Sequence, residues 1–124
     1  MRLIIDASVI VDYLRQRGKS GLMFLKLVEN GEGLVISSVT VAELYAGKSA
    51  QKGGSQRERL DEMVAGMEVV MPDGEMAKRV GQAKYEWGLS LADAFVAALA
   101  LQENLPLATL DRKAFAFIKE LKFY

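Results

Sequence analysis

Short apolar runs alternate along the chain with longer segments whose apolar residues recur every three or four positions. The short runs predict buried strands, and the longer segments predict helices that bury one face. Strands that are separated by helices pair in parallel, so this order predicts an α/β fold in which helices cover both faces of a small parallel sheet of four to five strands. The predicted strands are 2–6, 34–37, 67–72 and 106–110, with 121–124 as a short edge strand.

Helix signals fill the segments between these strands. Ser37 or Ser38 can cap the helix after the second strand, and Asp73 can cap the helix after the third. The predicted helices are 7–16, 22–30, 38–50, 57–66, 74–88, a long apolar helix within 87–102, and 111–120.

The size of the chain predicts one domain. Its 124 residues and 13.6 kDa can bury a real core but are too few for two domains, so we expect a single domain over 1–124. No uncharged run reaches the roughly 18 residues that a spanning helix needs, and Asp6 and Asp12 interrupt the stretch that most resembles a signal peptide. We expect a cytoplasmic protein without a membrane segment.

The composition excludes several kinds of chemistry. Sixteen basic and sixteen acidic residues give a formal net charge of zero, so nucleic acid would be bound by local patches rather than by overall charge. The chain has no cysteine and no histidine, which excludes disulfides, thiol nucleophiles, Cys/His zinc sites and triads that use histidine. Carboxylates, hydroxyls, lysine or a bound metal must then carry any catalysis.

Three stretches are almost free of charge, and the one charged residue in each is an acid. Asp6 stands alone in 3–11, Glu43 in 33–47 and Asp93 in 87–102. Buried carboxylates are costly unless a cation or hydrogen bonds meet them, and these stretches contain no lysine or arginine. The missing cation can come from elsewhere in the fold or be a metal ion.

The predicted topology brings four acids together. Asp6 ends the first strand and Asp111 follows the fourth, and in open α/β sheets ligands bind at the carboxyl ends of the strands. Glu43 lies in the helix after the second strand, and Asp93 starts the apolar helix that leads to the fourth. Clustered carboxylates with no cation in their own segments are typical of a site for Mg²⁺ or Mn²⁺.

Each acid also has a structural interpretation. Asp111 can cap a helix, and Asp93 can do so itself or through Ser90. Asp6 can shape the turn after its strand, and Glu43 can point to solvent. Three further acids are assigned to surface or capping roles: Asp12, Asp61 and Asp73.

Hydroxyl groups stand beside the same strand ends. Ser8 comes two residues after Asp6, and Thr109 comes two residues before Asp111. These hydroxyls, with that of Ser38, can orient a carboxylate or hold a water, or they can simply cap helices.

Each of the four acids stands in a short segment with a distinctive pattern. The segments are IIDASVIV (4–11), SSVTVAELYAG (37–47), LSLADAFVAALA (89–100) and NLPLATLDRKAF (104–115). Their order, their spacing and the total length resemble those of PIN-domain ribonucleases, most closely the small VapC-type toxins of toxin-antitoxin pairs. The resemblance covers essentially the whole chain and implies a PIN-like α/β/α sandwich.

The resemblance also implies a function. Asp6, Glu43, Asp93 and Asp111 correspond to the metal-binding acids, and Thr109 corresponds to an auxiliary polar residue. It further implies RNA hydrolysis that leaves a 5′-phosphate and a 3′-hydroxyl, a homodimer, and an antitoxin whose C-terminal segment occupies the active-site groove. The hypothesis is a metal-dependent endoribonuclease, in which the metal activates water and neutralises charge on the phosphate. The basic residues that can hold the RNA backbone, or be merely solvated, are Lys48, Lys52, Arg57, Arg59, Arg112 and Lys113.

Two other functions stay open at this point. The chain can be a catalytically silent PIN-like dimer that serves only as a protein-binding module. Acidic Mg²⁺ sites also serve phosphotransfer in receiver and phosphatase folds, but those folds pair two acids near the first strand, and no second acid adjoins Asp6 here.

Overall fold

The computed structural model describes residues 1–15, 22–51 and 53–124, and in these residues four parallel strands form one sheet of order β3-β2-β1-β4. The strands are β1 (Arg2–Ile5), β2 (Gly33–Ser37), β3 (Glu68–Val70) and β4 (Leu107–Ala108). The helices are α1 (Ala7–Arg15), α2 (Leu22–Glu29), α3 (Ser38–Ala46), α4 (Lys48–Gln51), α5 (Gly54–Ala65), α6 (Gly74–Trp87) and α7 (Leu91–Glu103), followed by a 3-10 helix at Arg112–Phe115.

Each face of the sheet carries its own apolar core. Successive strand residues point to opposite faces, so Ile4 and Val35 pack with α6 and α7, whereas Leu3 and Ile36 pack with helices α1 to α5. The predicted α/β fold, with a small parallel sheet between two helical layers, is confirmed.

The position of β1 in the sheet determines what surrounds Asp6. β1 lies between β2 and β4, with Leu3 opposite Leu34 and Ile5 opposite Ala108. The residue after Ile5 is Asp6, whose backbone N–H donates to the carbonyl oxygen of Ala108 at 3.0 Å. The segments that follow β1, β2 and β4 therefore share one edge of the sheet.

Two of the predicted helix caps are present. The Ser37 hydroxyl accepts a hydrogen bond from the N–H of Val39 at 3.1 Å, so Ser37 rather than Ser38 caps α3. The Asp73 carboxylate accepts from the N–H of Met76 at 2.8 Å and caps α6. Each side chain satisfies an amide that the first turn of a helix leaves without a partner.

Two predicted helices differ from the structure. The helix predicted for 38–50 is interrupted at Gly47, whose backbone is extended, and continues as the short α4. The prediction of a helix over 111–120 is wrong, because only the 3-10 turn Arg112–Phe115 forms. The chain turns back beyond it so that the N–H of Leu107 can donate to the carbonyl of Lys122, and the predicted edge strand is reduced to one bridge between Leu107 and Phe123.

The predicted apolar stretch 87–102 contains a helix boundary. Trp87 ends α6, Gly88 adopts a left-handed conformation with φ of 63°, and Ser90 caps α7. Glycine takes this backbone conformation without the steric penalty of a side chain. Asp93 is thereby placed in the first turn of α7, at the edge of the sheet, which confirms that it starts the apolar helix. None of the helices in the described ranges combines the length and the apolar composition needed to cross a membrane.

Candidate functional site

Asp6 is the most buried acid of the predicted site, with 6% of its surface exposed. Its Oδ2 accepts hydrogen bonds from the Ser8 hydroxyl at 2.7 Å and the Thr109 hydroxyl at 2.8 Å. The other oxygen, Oδ1, receives no hydrogen bond from the described residues. Two hydroxyls thus offset the cost of burying the charge, and Oδ1 is the oxygen available to a ligand.

Backbone amides fix the direction of both hydroxyls. The N–H of Leu110 donates to the Ser8 oxygen, and the N–H of Asp111 donates to the Thr109 oxygen, each at 3.0 Å. Because each hydroxyl oxygen accepts one amide proton, its own proton is free to point at the Asp6 carboxylate. Of the two interpretations of Ser8 and Thr109, the structure supports orientation of a carboxylate. Ser38 lies at the start of α3 and is half-buried.

Asp93 lies near Asp6 and is half-buried. Its backbone N–H donates to the Ser90 hydroxyl at 3.1 Å, so Ser90, and not Asp93, caps α7. Burial and the charge of Asp6 raise the pKa of the Asp93 carboxyl; a hydrogen bond from Ser90 opposes this shift, and the charge of Asp111 adds to it. Asp93 is only half-buried because the first turn of α7 opens to the edge of the sheet.

Glu43 belongs to the same charge cluster although most of the residue is exposed. Partial burial of its carboxyl group raises its pKa, and the charges of Asp93 and Asp6 raise it further. Like charges that lie close together favour the protonated form of each other. Glu43 therefore does not simply point away into solvent, as one interpretation held.

Asp111 follows β4 and is exposed. It precedes the 3-10 helix but its side chain makes no capping hydrogen bond, so the capping interpretation is wrong. Its charge reaches Asp93 strongly enough to raise the pKa of that carboxyl. The structure thus brings all four predicted acids into one region of negative charge, with Thr109 among them.

The acid cluster lacks a paired counter-charge among the residues that the structure describes. In the part of the chain that the structure describes, no lysine or arginine forms an ion pair with any of the four acids. Carboxylate oxygens are the ligands that hard divalent cations prefer. In the same described residues, however, no set of three or more acidic side chains is arranged to hold a metal ion. The chemistry of the donors fits such an ion, and binding it would require side chains such as Glu43 and Asp111 to move inward.

A groove adjoins the cluster at Glu43. It encloses about 500 Å³ between α1, α3, α4 and α5, and its wall is largely apolar. Its described lining has charged or amide side chains at Arg15, Glu43, Lys48 and Gln56. Sequence reasoning missed Arg15, yet a signal was present, because Ala7, Val11, Leu14 and Arg15 share one face at helical spacing.

The structure separates the predicted basic residues by their contacts. The Arg57 guanidinium lies 4.8 Å from the centre of the Tyr45 ring and donates to the carbonyl oxygen of Ala50 at 2.9 Å. Arg112 donates to the backbone oxygen of Tyr124 at 2.7 Å. Arg57 and Arg112 therefore hold parts of the fold together. Of the others, Lys48 lines the groove, Arg59 lines a separate cavity, Lys113 is exposed, and Lys52 lies outside the described residues.

Comparisons with known proteins agree with this geometry. The family model for the PIN domain matches residues 3–121. Ribonuclease VapC1 of Methanocaldococcus jannaschii is 30% identical over 130 residues, which cover 99% of this chain and 87% of that protein.

Solved structures have the same fold. VapBC2 from Rickettsia felis, bound to a DNA fragment from their promoter, matches with a TM-score of 0.78 and 21% identity over 100% of this chain and 98% of that one. VapBC-1 from nontypeable Haemophilus influenzae matches with a TM-score of 0.75 and 22% identity over 100% of this chain and 97% of that chain. The chain therefore belongs to the PIN-domain family and, within it, to the VapC type.

Proposed function

We infer that this protein is an endoribonuclease, the toxin of a toxin-antitoxin pair, and that it hydrolyses RNA phosphodiesters with the help of Mg²⁺ or Mn²⁺. The observation that carries the proposal is the convergence of Asp6, Glu43, Asp93 and Asp111 at one edge of the sheet without a lysine or arginine partner among the described residues. Kinship with a ribonuclease of the VapC type supports the same reaction.

Oxygen ligands for the metal would come from the four acids. A bound divalent cation supplies activation of water and neutralisation of charge on the phosphate. The chain has no histidine, so no imidazole can act as the base. Asp6 would provide Oδ1, because Ser8 and Thr109 occupy Oδ2. Asp93, in the first turn of α7, would complete the inner part of the site, and the exposed Glu43 and Asp111 would close around it.

Ser8 and Thr109 would act by positioning. They hold the Asp6 carboxylate in one orientation, and backbone amides hold them in turn. A fixed carboxylate loses less entropy when it binds a cation than a mobile one does. Thr109 is thus proposed as an auxiliary residue that orients Asp6 and not as a proton donor to the substrate.

The proposed partners follow from the relatives. Structures of VapBC and of a toxin-antitoxin complex share this fold, and we propose that a cognate antitoxin binds this chain as well. We also propose a homodimer.

The reaction is tested by incubating purified protein with structured and unstructured RNAs in Mg²⁺, Mn²⁺ or EDTA, beside the variants Asp6→Asn and Asp93→Asn. We expect cleavage by the wild type in metal only, with 5′-phosphate and 3′-hydroxyl ends, and none by either variant. Cleavage that persists in EDTA or in both variants would contradict the metal-carboxylate mechanism. If no form cuts RNA but all bind the antitoxin equally, the chain is a protein-binding module.

Metal binding is tested separately from activity. Anything that binds only the folded state raises its stability, so Mn²⁺ should raise the melting temperature of the wild type. The rise should be much smaller in Asp93→Asn. The matched control is Glu29→Gln, a change on α2 outside the acid cluster, which should keep the full rise in melting temperature.

A further inference from the structure

Asp111 is an acid of the cluster whose own side chain the fold does not hold. It is exposed, and its carboxylate accepts no hydrogen bond from the described residues. Its backbone is held on the amino side, because its N–H donates to the Thr109 hydroxyl at 3.0 Å. On the carboxyl side, the N–H of Ala114 donates to the carbonyl of Asp111 at 3.3 Å, in a 3-10 turn whose hydrogen bonds are poorer than those of an α-helix. The position of Asp111 therefore depends on what else holds this turn.

Arg112, the residue after Asp111, fastens the turn to the segment 122–124. Its guanidinium donates to the backbone oxygen of Tyr124 at 2.7 Å and lies 5.2 Å from the centre of the Phe123 ring. A hydrogen bond from a charged donor is roughly twice as strong as one between neutral groups, and a cation over the face of an aromatic ring is attracted to it. These two contacts join the turn that carries Asp111 to a distant part of the chain.

The partners of Arg112 are anchored on both faces of the sheet. The N–H of Leu107 in β4 donates to the carbonyl of Lys122 at 2.8 Å, and the N–H of Tyr124 donates to the carbonyl of Leu107 at 2.9 Å. Phe123 packs with the core under α6 and α7, whereas Tyr124 packs with the core on the other face. Arg112 is therefore fastened to the sheet itself, through residues that both cores hold.

We propose that Arg112 is a positioning residue for metal binding and that it acts through Asp111. Its link to Tyr124 and Phe123 holds the turn after β4, so that the Asp111 carboxylate is kept within reach of the divalent cation. The inference rests on the proposed function and adds to it a residue that orients a ligand of the metal. A carboxylate on a fixed backbone loses less entropy when it binds a cation than one on a mobile turn. Arg112 touches neither the metal nor the RNA in this role.

The charge of Arg112 has an effect opposite to that of its link. A positive charge beside the acid cluster repels a cation, so the charge alone predicts that removal of Arg112 tightens metal binding. Loss of the link to Tyr124 and Phe123 predicts that the same change weakens it. The direction of the change in metal affinity therefore distinguishes the two effects.

Titration with Mn²⁺, followed by the electron paramagnetic resonance signal of the free ion, measures this affinity without RNA. Arg112→Met keeps most of the length of the side chain but removes its charge and its donors. We expect it to weaken Mn²⁺ binding about tenfold, the lower end of the loss seen when groups that orient a metal ligand are changed. Phe123→Leu, which alters no charge, should change the affinity in the same direction. Unchanged or tighter binding by Arg112→Met would overturn the proposal.

A double-mutant cycle tests whether Arg112 acts through Asp111. In the background Asp111→Asn, Arg112→Met should cause no further loss of Mn²⁺ affinity, because the ligand that it positions is already gone. Equal losses in both backgrounds would overturn the assignment to Asp111. The matched control is Arg79→Met. Arg79 donates to Gln102 at 3.3 Å, at the end of α7 opposite to Asp93, so this variant should keep the wild-type affinity.

Other roles of Arg112 give different results. A purely structural role would lower the urea midpoint of Arg112→Met and leave the Mn²⁺ affinity of the folded protein unchanged. A direct contact with RNA would raise KM, again with unchanged Mn²⁺ affinity. Either result would overturn the proposal.

The outcomes also separate this inference from the proposed function. If the wild type and Arg112→Met cleave RNA with the same kcat and bind Mn²⁺ equally well, the inference fails and the proposed function stands. If the Mn²⁺ affinity falls as expected but no form cleaves RNA, the positioning role of Arg112 is supported and the proposed function fails.

Discussion

The surroundings of Asp93 disfavour the charged form of its carboxyl group. Burial and the charge of Asp6 raise the pKa of its carboxyl, and a single serine hydroxyl, that of Ser90, opposes the shift. Replacing Asp93 with asparagine should abolish RNA cleavage and leave the metal-free protein at least as stable as the wild type, because one unfavourable charge has gone. Urea unfolding in EDTA and a gel assay of cleavage measure the two effects. A variant that unfolds without metal would show that the carboxylate is structural.

The same raised pKa values predict how stability depends on pH. Glu43 and Asp93 hold their protons more tightly in the folded state than in the unfolded state. Their favourable contribution to the free energy of unfolding is therefore complete below the unfolded-state pKa and is lost as the pH rises through the folded-state pKa. In EDTA, the double variant Glu43→Gln/Asp93→Asn should gain stability over the wild type near neutral pH and lose that advantage near about pH 4. Urea midpoints at both pH values measure it, and an equal gap at both would contradict it.

Ser8 is the residue whose loss should affect Asp6 most directly. Ser8→Ala removes one of the two hydrogen bonds to a buried carboxylate and the acceptor of the Leu110 N–H. Hydrogen bonds to charged groups contribute about 1.5–3 kcal/mol, and we expect a loss of free energy of unfolding in that range together with weaker cleavage. Ser55→Ala, an exposed change in α5, is the matched control for urea unfolding and should be nearly neutral. A neutral Ser8→Ala would show that Thr109 alone suffices.

At the scale of elements, the break at Gly47 creates the wall of the groove. It separates α3, which carries Glu43, from α4, which carries Lys48, and a cluster of side chains then ties both helices to α5. In this cluster the Tyr45 hydroxyl donates to Asp61, and the Arg57 guanidinium lies over the Tyr45 ring. No local pattern predicts these contacts, because they join three helices.

Removal of the Tyr45 hydroxyl tests this connection. Tyr45→Phe keeps the ring under the Arg57 guanidinium but loses the hydrogen bond to Asp61, so it should cost about 0.5–1.5 kcal/mol of unfolding free energy. Tyr85→Phe is the matched control, since Tyr85 is 87% exposed and should change little. Equal urea midpoints for both variants would show that the hydrogen bond to Asp61 contributes nothing to stability.

At the scale of the whole molecule, large apolar side chains remain at the surface. Met71 is 80% exposed and Phe117 is 79% exposed, and exposed apolar groups favour association. We expect light scattering after size exclusion to give twice the 13.6 kDa of one chain. A mass equal to that of one chain at all concentrations would contradict the proposed homodimer. The single PIN-like domain over 1–124 also stays a prediction.

The sequence by itself determined the order of the four strands and of most helices along the chain, the fold class, and which four acids the structure brings together. Apolar spacing is a local property that records which face of each element is buried, and capping residues such as Asp73 act within one turn of their helix. The scarcity of charged residues around Asp6, Glu43 and Asp93 was visible for the same reason, since each of these stretches is a continuous segment of the sequence.

Only the tertiary structure decided how these parts meet. The order β3-β2-β1-β4 places Thr109 beside Asp6, and this pairing joins residues from opposite ends of the chain. The helix predicted over 111–120 gave way to a 3-10 turn because pairing of the last residues with β4 outweighed local helical spacing. The exposure of each acid and the internal contacts of Arg57 likewise depend on neighbours distant in sequence, which no local pattern records.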